Sequence, residues 1–198
     1  MSKEDLWIDW ISRGMKVPPK CLGIGDDGAV IDAGGDQVYV IVQDAITCGV
    51  DYEKSLSPEW IGHKALAINL SDLAAMGGKP FIYFVSLGLP RRTQTPYVKA
   101  IYRGMKKLAA PYGMTCLGGD MSRSSGEWLS VTAIGLAKRS RVIRRTGAKS
   151  GDWIVHTGCL GGSLLGHHAR FAPRVRHQPC AKTLDGISTP SDFNIIGQ

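Results

Sequence analysis

Cysteine is scarce in this 198-residue sequence, and its few copies are widely separated. No two of them form a C-x-x-C pair; they stand at Cys21, Cys48, Cys116, Cys159 and Cys180. A disulfide framework uses an even, closely spaced set, and a structural zinc site uses paired thiolates. The pattern argues against both, so we expect reduced thiols.

Long apolar segments are also missing. The first residues include Glu4 and Asp5 and form neither the apolar stretch of a signal peptide nor that of a membrane span. With 43% hydrophobic residues, however, a chain of this length can bury a sizeable core. These features predict a globular cytoplasmic protein without a membrane segment.

Basic residues are few at the beginning of the chain. Residues 1–60 hold 5 Lys/Arg against 11 Asp/Glu, a net charge of −6. Because the whole chain has a net charge of +7, residues 61–198 carry +13. The main basic cluster, residues 138–149, contains no aromatic side chains on which bases could stack. Nucleic-acid binding is therefore not indicated, and a carboxylate–metal site facing a basic phosphate clamp fits the asymmetry better.

Two adjacent carboxylates stand in a glycine-rich turn at residues 23–30, Gly-Ile-Gly-Asp-Asp-Gly-Ala-Val. The glycine spacing satisfies the dinucleotide-binding fingerprint, but that fingerprint opens a helix, and here a predicted β-hairpin follows. Asp26 and Asp27 would also repel a pyrophosphate unless a divalent cation lay between them. The pattern indicates either a metal-bridged phosphate site or an ordinary Asp-rich turn.

A third carboxylate, Asp72, falls inside a strongly apolar predicted helix. Ser57 and Pro58 form a helix start signal, and Gly77 and Gly78 mark its end. A carboxylate in such a buried segment is costly unless it is paired or bound to a metal. Asp72 is thus a candidate metal ligand, the alternative being a carboxylate that bonds to its own helix backbone.

The remaining pattern predicts an α+β fold, a mixed sheet with helices on one face. After the hairpin and first long helix come a strand at 80–90, a helix from Thr95 to about Tyr112, a short strand at 114–117, a loop at 118–126 and a strand at 128–136. Asp27, Asp44 and Asp120 are expected in loops at strand edges near Asp72. We predict a first domain over 1–137, and a joint over 138–175 with the opening strand (153–157) and Gly-rich turn (158–163) of a second α/β domain. Residues 176–198 form an unmatched tail.

Four motifs in this order resemble those of thiamine-monophosphate kinase: residues 23–30, the Asn-Leu-Ser-Asp-Leu-Ala-Ala-Met-Gly run at 69–77, Gly-Gly-Asp at 118–120, and Arg-Arg-Thr-Gly-Ala at 144–148. The resemblance extends from about residue 6 to 175. It implies ATP- and Mg²⁺-dependent phosphorylation of thiamine monophosphate to thiamine diphosphate. It also implies a homodimer in which the first domains pair their sheets.

The resemblance assigns roles residue by residue. It implies that four carboxylates bind metal: Asp27, Asp44, Asp72 and Asp120. It implies that four residues line the ATP site: Tyr102, Gly119, Asp120 and Arg145. Asp51 stands where the family has a substrate-contacting histidine, Gln43 stands where Thr is usual, and Met121 replaces a common Thr.

Two alternatives to this function stay open at this point. One is a related ATP-binding enzyme of the aminoimidazole ribonucleotide synthetase or selenophosphate synthetase type. The other is a non-catalytic dimerising remnant, because residues 176–198 do not resemble the family and two of its later motifs, Asp-x-Ser-Asp-Gly-Leu and Gly-Gly-Glu-Asp-Tyr, are absent from the sequence. A frameshift, a truncated gene model or a naturally short chain would account for this.

Overall fold

The computed structural model describes residues 2–154, and the chain divides into two units, Met1–Gly147 and Ala148–Gln198. All of the regular elements described below belong to the first unit. Its helices are α1 (Lys3–Ser12), α2 (Pro58–Ala75) and α3 (Thr95–Ala109), and its strands are β1 (Ala29–Gly34), β2 (Gln37–Thr47), β3 (Lys79–Leu89), β4 (Thr115–Arg123) and β5 (Trp128–Lys138). The predicted strand at 153–157 extends past residue 154, and the predicted turn at 158–163 and the tail lie outside the described residues.

The five strands form one mixed sheet in the order β1-β2-β5-β3-β4. Neighbouring strands are antiparallel except β3 and β4, which are parallel. A parallel pair needs a crossover connection, and α3 supplies it. The predicted α+β class and mixed sheet are confirmed.

One face of the sheet is covered by α2, and α3 packs beside α2. Side chains alternate along each strand, so every second residue of β2 points at this helix-covered face. Val38, Val40, Val42 and Ile46 are buried there. Helix α2 packs against β2, and its Ile61, Leu66, Leu70 and Leu73 are buried as well. Burying side chains of this size contributes roughly 1.5–3 kcal/mol each before entropy losses.

The opposite face of the sheet carries no helix from the described part of the chain and is notably apolar. Ile41, Ile134 and Ile82 form one row across three strands. Phe84 lies beside this row, and Tyr39 of β2 is 36% exposed on the same face. We call this surface the open face.

The two long helices approach closely because each carries a glycine at the crossing. A Cβ on Gly62 of α2 would lie 1.9 Å from the carbonyl oxygen of Ile101, and one on Gly104 of α3 would lie 1.8 Å from that of Glu59. Neither distance is possible for a real side chain. The helix pair therefore depends on both glycines.

Two sequence predictions about loops are wrong. Residues 118–123, predicted as a loop, continue β4, because the parallel pairing with β3 runs on to Leu89 and Arg123. Gly119 permits it, since a Cβ there would lie 1.7 Å from the Val85 carbonyl oxygen. Asp120 consequently lies within β4. Asp44, also predicted in an edge loop, lies within β2, which continues to Thr47.

The first helix, α1, begins with a complete capping box between Ser2 and Asp5. None of its residues is buried; Trp7 is 65% and Trp10 74% exposed. Leu6, Trp7, Trp10 and Ile11 recur at helical spacing here, and within residues 2–154 nothing buries them. None of the helices in that range combines the length and the apolar composition that a bilayer-spanning segment requires.

Candidate metal and phosphate site

The glycine-rich turn before β1 is a closed loop. Leu22 and Val30 exchange two backbone hydrogen bonds of 2.9 Å, so the residues between them project as one unit. Gly28 allows this loop to lie on β2, because a Cβ there would come within 2.6 Å of the Ile41 carbonyl oxygen. The sequence in this way presents Asp26 and Asp27 beside the middle of β2.

Both of these carboxylates are met by arginines from the segment after β5. Asp26 has a side chain only 3% exposed; it accepts a hydrogen bond of 2.9 Å from the Arg145 backbone N–H and lies 3.4 Å from Arg144 Nε. Asp27 accepts from Arg145 Nε at 3.0 Å and also contacts Nη2. The proximity of Asp27 raises the pKa of Arg145. Asp26 thus fixes the arginine segment, and Asp27 pairs with its side chain.

Asp44 and Asp72 approach the same place from β2 and α2. Asp44 pairs with Val131 and therefore points to the helix-covered face. Asp72 lies in the last turn of α2, where exposed backbone carbonyls make a helix end negative and an acid unfavourable. We call the six residues the acid–arginine cluster: Asp26, Asp27, Asp44, Asp72, Arg144 and Arg145.

The electrostatics of Asp72 reflect this crowding. Burial raises its pKa to about 6, and repulsion from Asp44 and then Asp27 acts in the same direction, whereas Arg145 opposes it. A carboxyl with these neighbours is poorly stabilised as an anion by the protein alone. A cation placed among the three acids would remove the repulsion.

The donor set suits Mg²⁺, which prefers hard oxygen ligands and commonly binds through one or two carboxylates completed by phosphate oxygens and water. Within residues 2–154, no three His, Cys, Asp or Glu side chains are close enough to enclose an ion by themselves. Asp44 and Asp72 would therefore hold Mg²⁺ together with a phosphate-bearing ligand, and Asp27 would join them when Arg145 turns to that ligand.

The other residues expected in the site lie elsewhere on this chain. Asp120 pairs with Ser86 of β3 and faces the open face, where its carboxylate accepts from Ser122 Oγ at 3.0 Å. Strands β5 and β3 separate β4 from β2, a distance of roughly 14 Å at about 4.8 Å per strand. Asp120 and Gly119 are therefore not brought to Asp44 and Asp72.

Tyr102 of α3 lies near β4, at the edge of the sheet far from β2. Burial and the nearby Cys116 raise its pKa, and Cys116 belongs to β4. Asp51, in the substrate-contacting position, accepts a hydrogen bond of 2.7 Å from the Thr47 backbone N–H, and its carbonyl contacts Lys64 Nζ. Its carboxylate therefore closes a turn after β2.

Two residues of this region were not assigned a role from the sequence. Asp26 anchors the arginine segment, and the only signal for it was the Asp-Asp pair, in which the two acids cannot be ranked. Asn69 is buried and accepts from the Asp44 backbone N–H at 3.1 Å. A polar amide one helical turn before Asp72 in an apolar helix was the available signal.

Fold and site together define the class of protein, a mixed sheet with two packed helices on one face and clustered carboxylates and arginines. The family model of AIR synthase related protein, N-terminal domain, matches residues 25–137, more than half of the sequence. The chain belongs to this family.

Among its curated relatives, a thiamine-monophosphate kinase from Rhodopirellula baltica is 44% identical over 174 residues, covering 82% of this chain and 54% of the relative. One from Bacillus subtilis is 40% identical, covering 73% of this chain and 45% of the relative. The chain spans about half the length of these relatives.

Solved structures give the same picture. The thiamine monophosphate kinase of Aquifex aeolicus has a TM-score of 0.74 at 29% identity, covering 90% of this chain and 58% of that one. A complex described as AaThiL with AMPPCP and TMP has a TM-score of 0.77 at 31% identity, covering 90% and 57%. The resemblance found in the sequence motifs is confirmed by these comparisons.

Proposed function

We propose that this protein acts in the ATP-dependent phosphorylation of thiamine monophosphate to thiamine diphosphate, with Mg²⁺ and nucleotide phosphates bound at the acid–arginine cluster. One observation carries the proposal: the partly buried Asp72 is repelled by both Asp44 and Asp27, beside Arg145. Two acids that a cation and a phosphate could bridge, with a third acid paired to an arginine beside them, form an arrangement suited to a metal-bridged phosphate. The relatives named thiamine-monophosphate kinase supply the substrate.

Each residue has a definite task in such a reaction. Phosphoryl transfer depends mainly on positioning and on neutralising charge. Asp44 and Asp72 would hold Mg²⁺, which supplies charge neutralisation when bound. Arg145 would release Asp27 and bind phosphate oxygens, for which its guanidinium geometry is suited. The acceptor phosphate is already ionised at neutral pH, so no general base is needed.

The proposal extends to the other residues that the resemblance assigns. Gly119, Tyr102 and Asp120 would contact ATP and metal, and Asp51 would contact the substrate. In this chain Asp120 faces the open face and Asp51 closes a turn, so we expect both to contribute less than Asp72. Cytoplasmic ATP and Mg²⁺ make the cytoplasm the expected location.

The decisive experiment measures transfer of phosphate from ATP to thiamine monophosphate by the purified chain, with Asp72→Asn as the inactive control. Formation of thiamine diphosphate by the wild type alone supports the proposal. ADP release that needs a different acceptor would instead support an aminoimidazole ribonucleotide or selenophosphate synthetase type of enzyme. Binding of MgATP without turnover on any acceptor would support the non-catalytic alternative.

We also propose that two copies pair through the open face, whose isoleucine row would otherwise remain in water. Ile134→Asp should then convert a dimer to a monomer in analytical ultracentrifugation. Val50→Asp, at a site that is 78% exposed and outside the sheet, is the matched control and should leave the dimer intact. A wild-type monomer at all concentrations would contradict the pairing.

A further inference from the structure

Asn69 is a polar residue of α2 that is completely buried, with no exposed surface. Its amide nitrogen donates to the Ala65 carbonyl at 3.0 Å, and its oxygen accepts from the Asp44 backbone N–H at 3.1 Å. An amide buried in an apolar helix is costly unless both ends are bonded. The two bonds satisfy it, and they join α2 to β2 at Asp44.

Asn69 bonds to β2 at a point that the first strand does not reach. The β1–β2 pairing ends at Ala29 and Ile41, three residues before Asp44. On its other side, β2 faces β5, where Asp44 stands opposite Val131. The Asn69 side chain therefore ties α2 to β2 at the residue that carries the carboxylate.

Asn69 and Asp72 are three residues apart on α2 and so lie on the same helix face. The Asn69 amide thus fixes the height of α2 over β2 one turn away from Asp72, and with it the separation of Asp72 from Asp44. We infer that Asn69 is a positioning residue that holds the Asp44–Asp72 pair at the spacing a divalent cation requires. This inference rests on the proposed metal site.

A purely structural amide would behave differently. If Asn69 only satisfied the core, its loss would lower stability and leave cation affinity per folded molecule unchanged. A positioning role predicts lost affinity beyond what instability explains, because outer partners of metal ligands typically change affinity by about 10- to 100-fold. A measurement of cation affinity therefore distinguishes the two roles.

The test titrates Mn²⁺, followed by electron paramagnetic resonance with Mg²⁺ competition, in the presence of a non-hydrolysable ATP analogue. Asn69→Ala removes both bonds. Asn69→Ser is the milder variant, because a serine can bond back to the Ala65 carbonyl but is too short to reach Asp44. Leu66→Ala, a buried position on α2, is the control for destabilisation of the same helix.

We expect Mn²⁺ affinity to fall about 10- to 100-fold in Asn69→Ser, with Leu66→Ala close to wild type. Unchanged affinity in folded Asn69→Ser would overturn the role of Asn69 while leaving the metal site intact. An equal loss in Leu66→Ala would overturn it too, since destabilisation would then suffice. A wild-type chain that binds no Mn²⁺ would overturn the metal site itself, and the inference with it.

Discussion

Two groups of partly buried acids in this chain are stabilised in opposite ways. Glu127, just before β5, accepts hydrogen bonds at one oxygen from Tyr52 Oη at 2.6 Å and Tyr97 Oη at 2.8 Å. Both donors are neutral phenols, and Tyr52 is only 5% exposed. In the acid–arginine cluster, by contrast, Asp72 is surrounded by other carboxylates.

The difference separates a structural carboxylate from a functional one. Neutral donors satisfy Glu127 within the folded chain, so nothing further needs to bind. For Asp72, burial and repulsion raise the pKa and so disfavour the ionised carboxylate. Proteins usually retain such an unfavourable charge where a bound ligand stabilises it. Changes in the first group should therefore affect stability alone, and changes in the second should affect stability and cation binding in opposite directions.

The largest effect is expected at Glu127. Glu127→Ala removes two charge-assisted hydrogen bonds and leaves two phenols without an acceptor, so the free energy of unfolding should fall by about 3 kcal/mol. Urea denaturation measures this, and Tyr97→Phe, which removes one bond, should cost about half as much. The shift of melting temperature caused by Mg²⁺ and ATP should be the same in all three proteins. A lost ligand shift in folded Glu127→Ala would place Glu127 in the binding site.

The alkaline limb of the stability curve should depend on the same two phenols. Burial and the bond to Glu127 raise the pKa values of Tyr52 and Tyr97 above the ordinary 10. A raised pKa in the folded state contributes stability that is fully present below pH 10 and is lost as pH rises, because the unfolded chain releases the proton first. Between pH 10 and 11 each phenol should remove about 1 kcal/mol, because the unfolded phenol is only half ionised at pH 10. Tyr52→Phe should flatten the limb by that amount, and an unchanged slope would show that Tyr52 does not titrate late.

Asp72→Asn should produce a smaller change of opposite sign. The pKa of about 6 lies above the unfolded value of 3.8, so ionised Asp72 costs stability that is absent below pH 4 and complete above pH 6. The substitution removes that cost, and because solvent screens this partly exposed group, the gain at pH 7.5 should be only about 1 kcal/mol. At pH 4 the two proteins should unfold alike.

Cation binding provides the second half of that test. Asp72→Asn should lose most of the melting-temperature shift that Mg²⁺ and ATP produce in the wild type, because a ligand is gone. If the variant were instead less stable at both pH values and kept its Mg²⁺ shift, Asp72 would be a structural acceptor and would leave the proposed site.

The fold was largely predictable because its signals are local. Ser57 and Pro58 begin α2, and the β-branched hairpin predicts β1 and β2; both predictions are confirmed. The extension of β4 through Gly118 and Gly119 was not predictable, since glycines there indicate a turn unless the neighbouring Val85 backbone is known to lie against them. That information is tertiary.

The site residues show the same contrast between local signals and tertiary information. Asp72 was identified from one costly carboxylate in an apolar helix, and its proximity to Asp27 and Asp44 is now visible. Asp120 points away from these acids because of the strand order and because of its position in the alternation of side chains along β4. Both follow from pairing between segments that are distant in the sequence. The pairing of Glu127 with Tyr52 and Tyr97, 75 and 30 residues away, left no local trace either.

The smallest effect, and the finest distinction, concerns Arg145. Its pair with Asp27 and the pair of Arg103 with Glu59 are both well exposed, with the arginine side chains 65% and 61% accessible. Arg145→Ala and the control Arg103→Ala should each lower stability by under about 1 kcal/mol. Without nucleotide, however, only Arg145→Ala frees an acid of the cluster, so Mn²⁺ affinity should rise by up to about fivefold, the factor that such a pair energy allows. With an ATP analogue present, Arg145→Ala should instead lower the Mn²⁺ affinity, because the guanidinium that would bind the phosphates has been removed. Equal Mn²⁺ titrations for the two variants in both conditions would mean that Arg145 neutralises Asp27 as a surface charge and takes no part in binding.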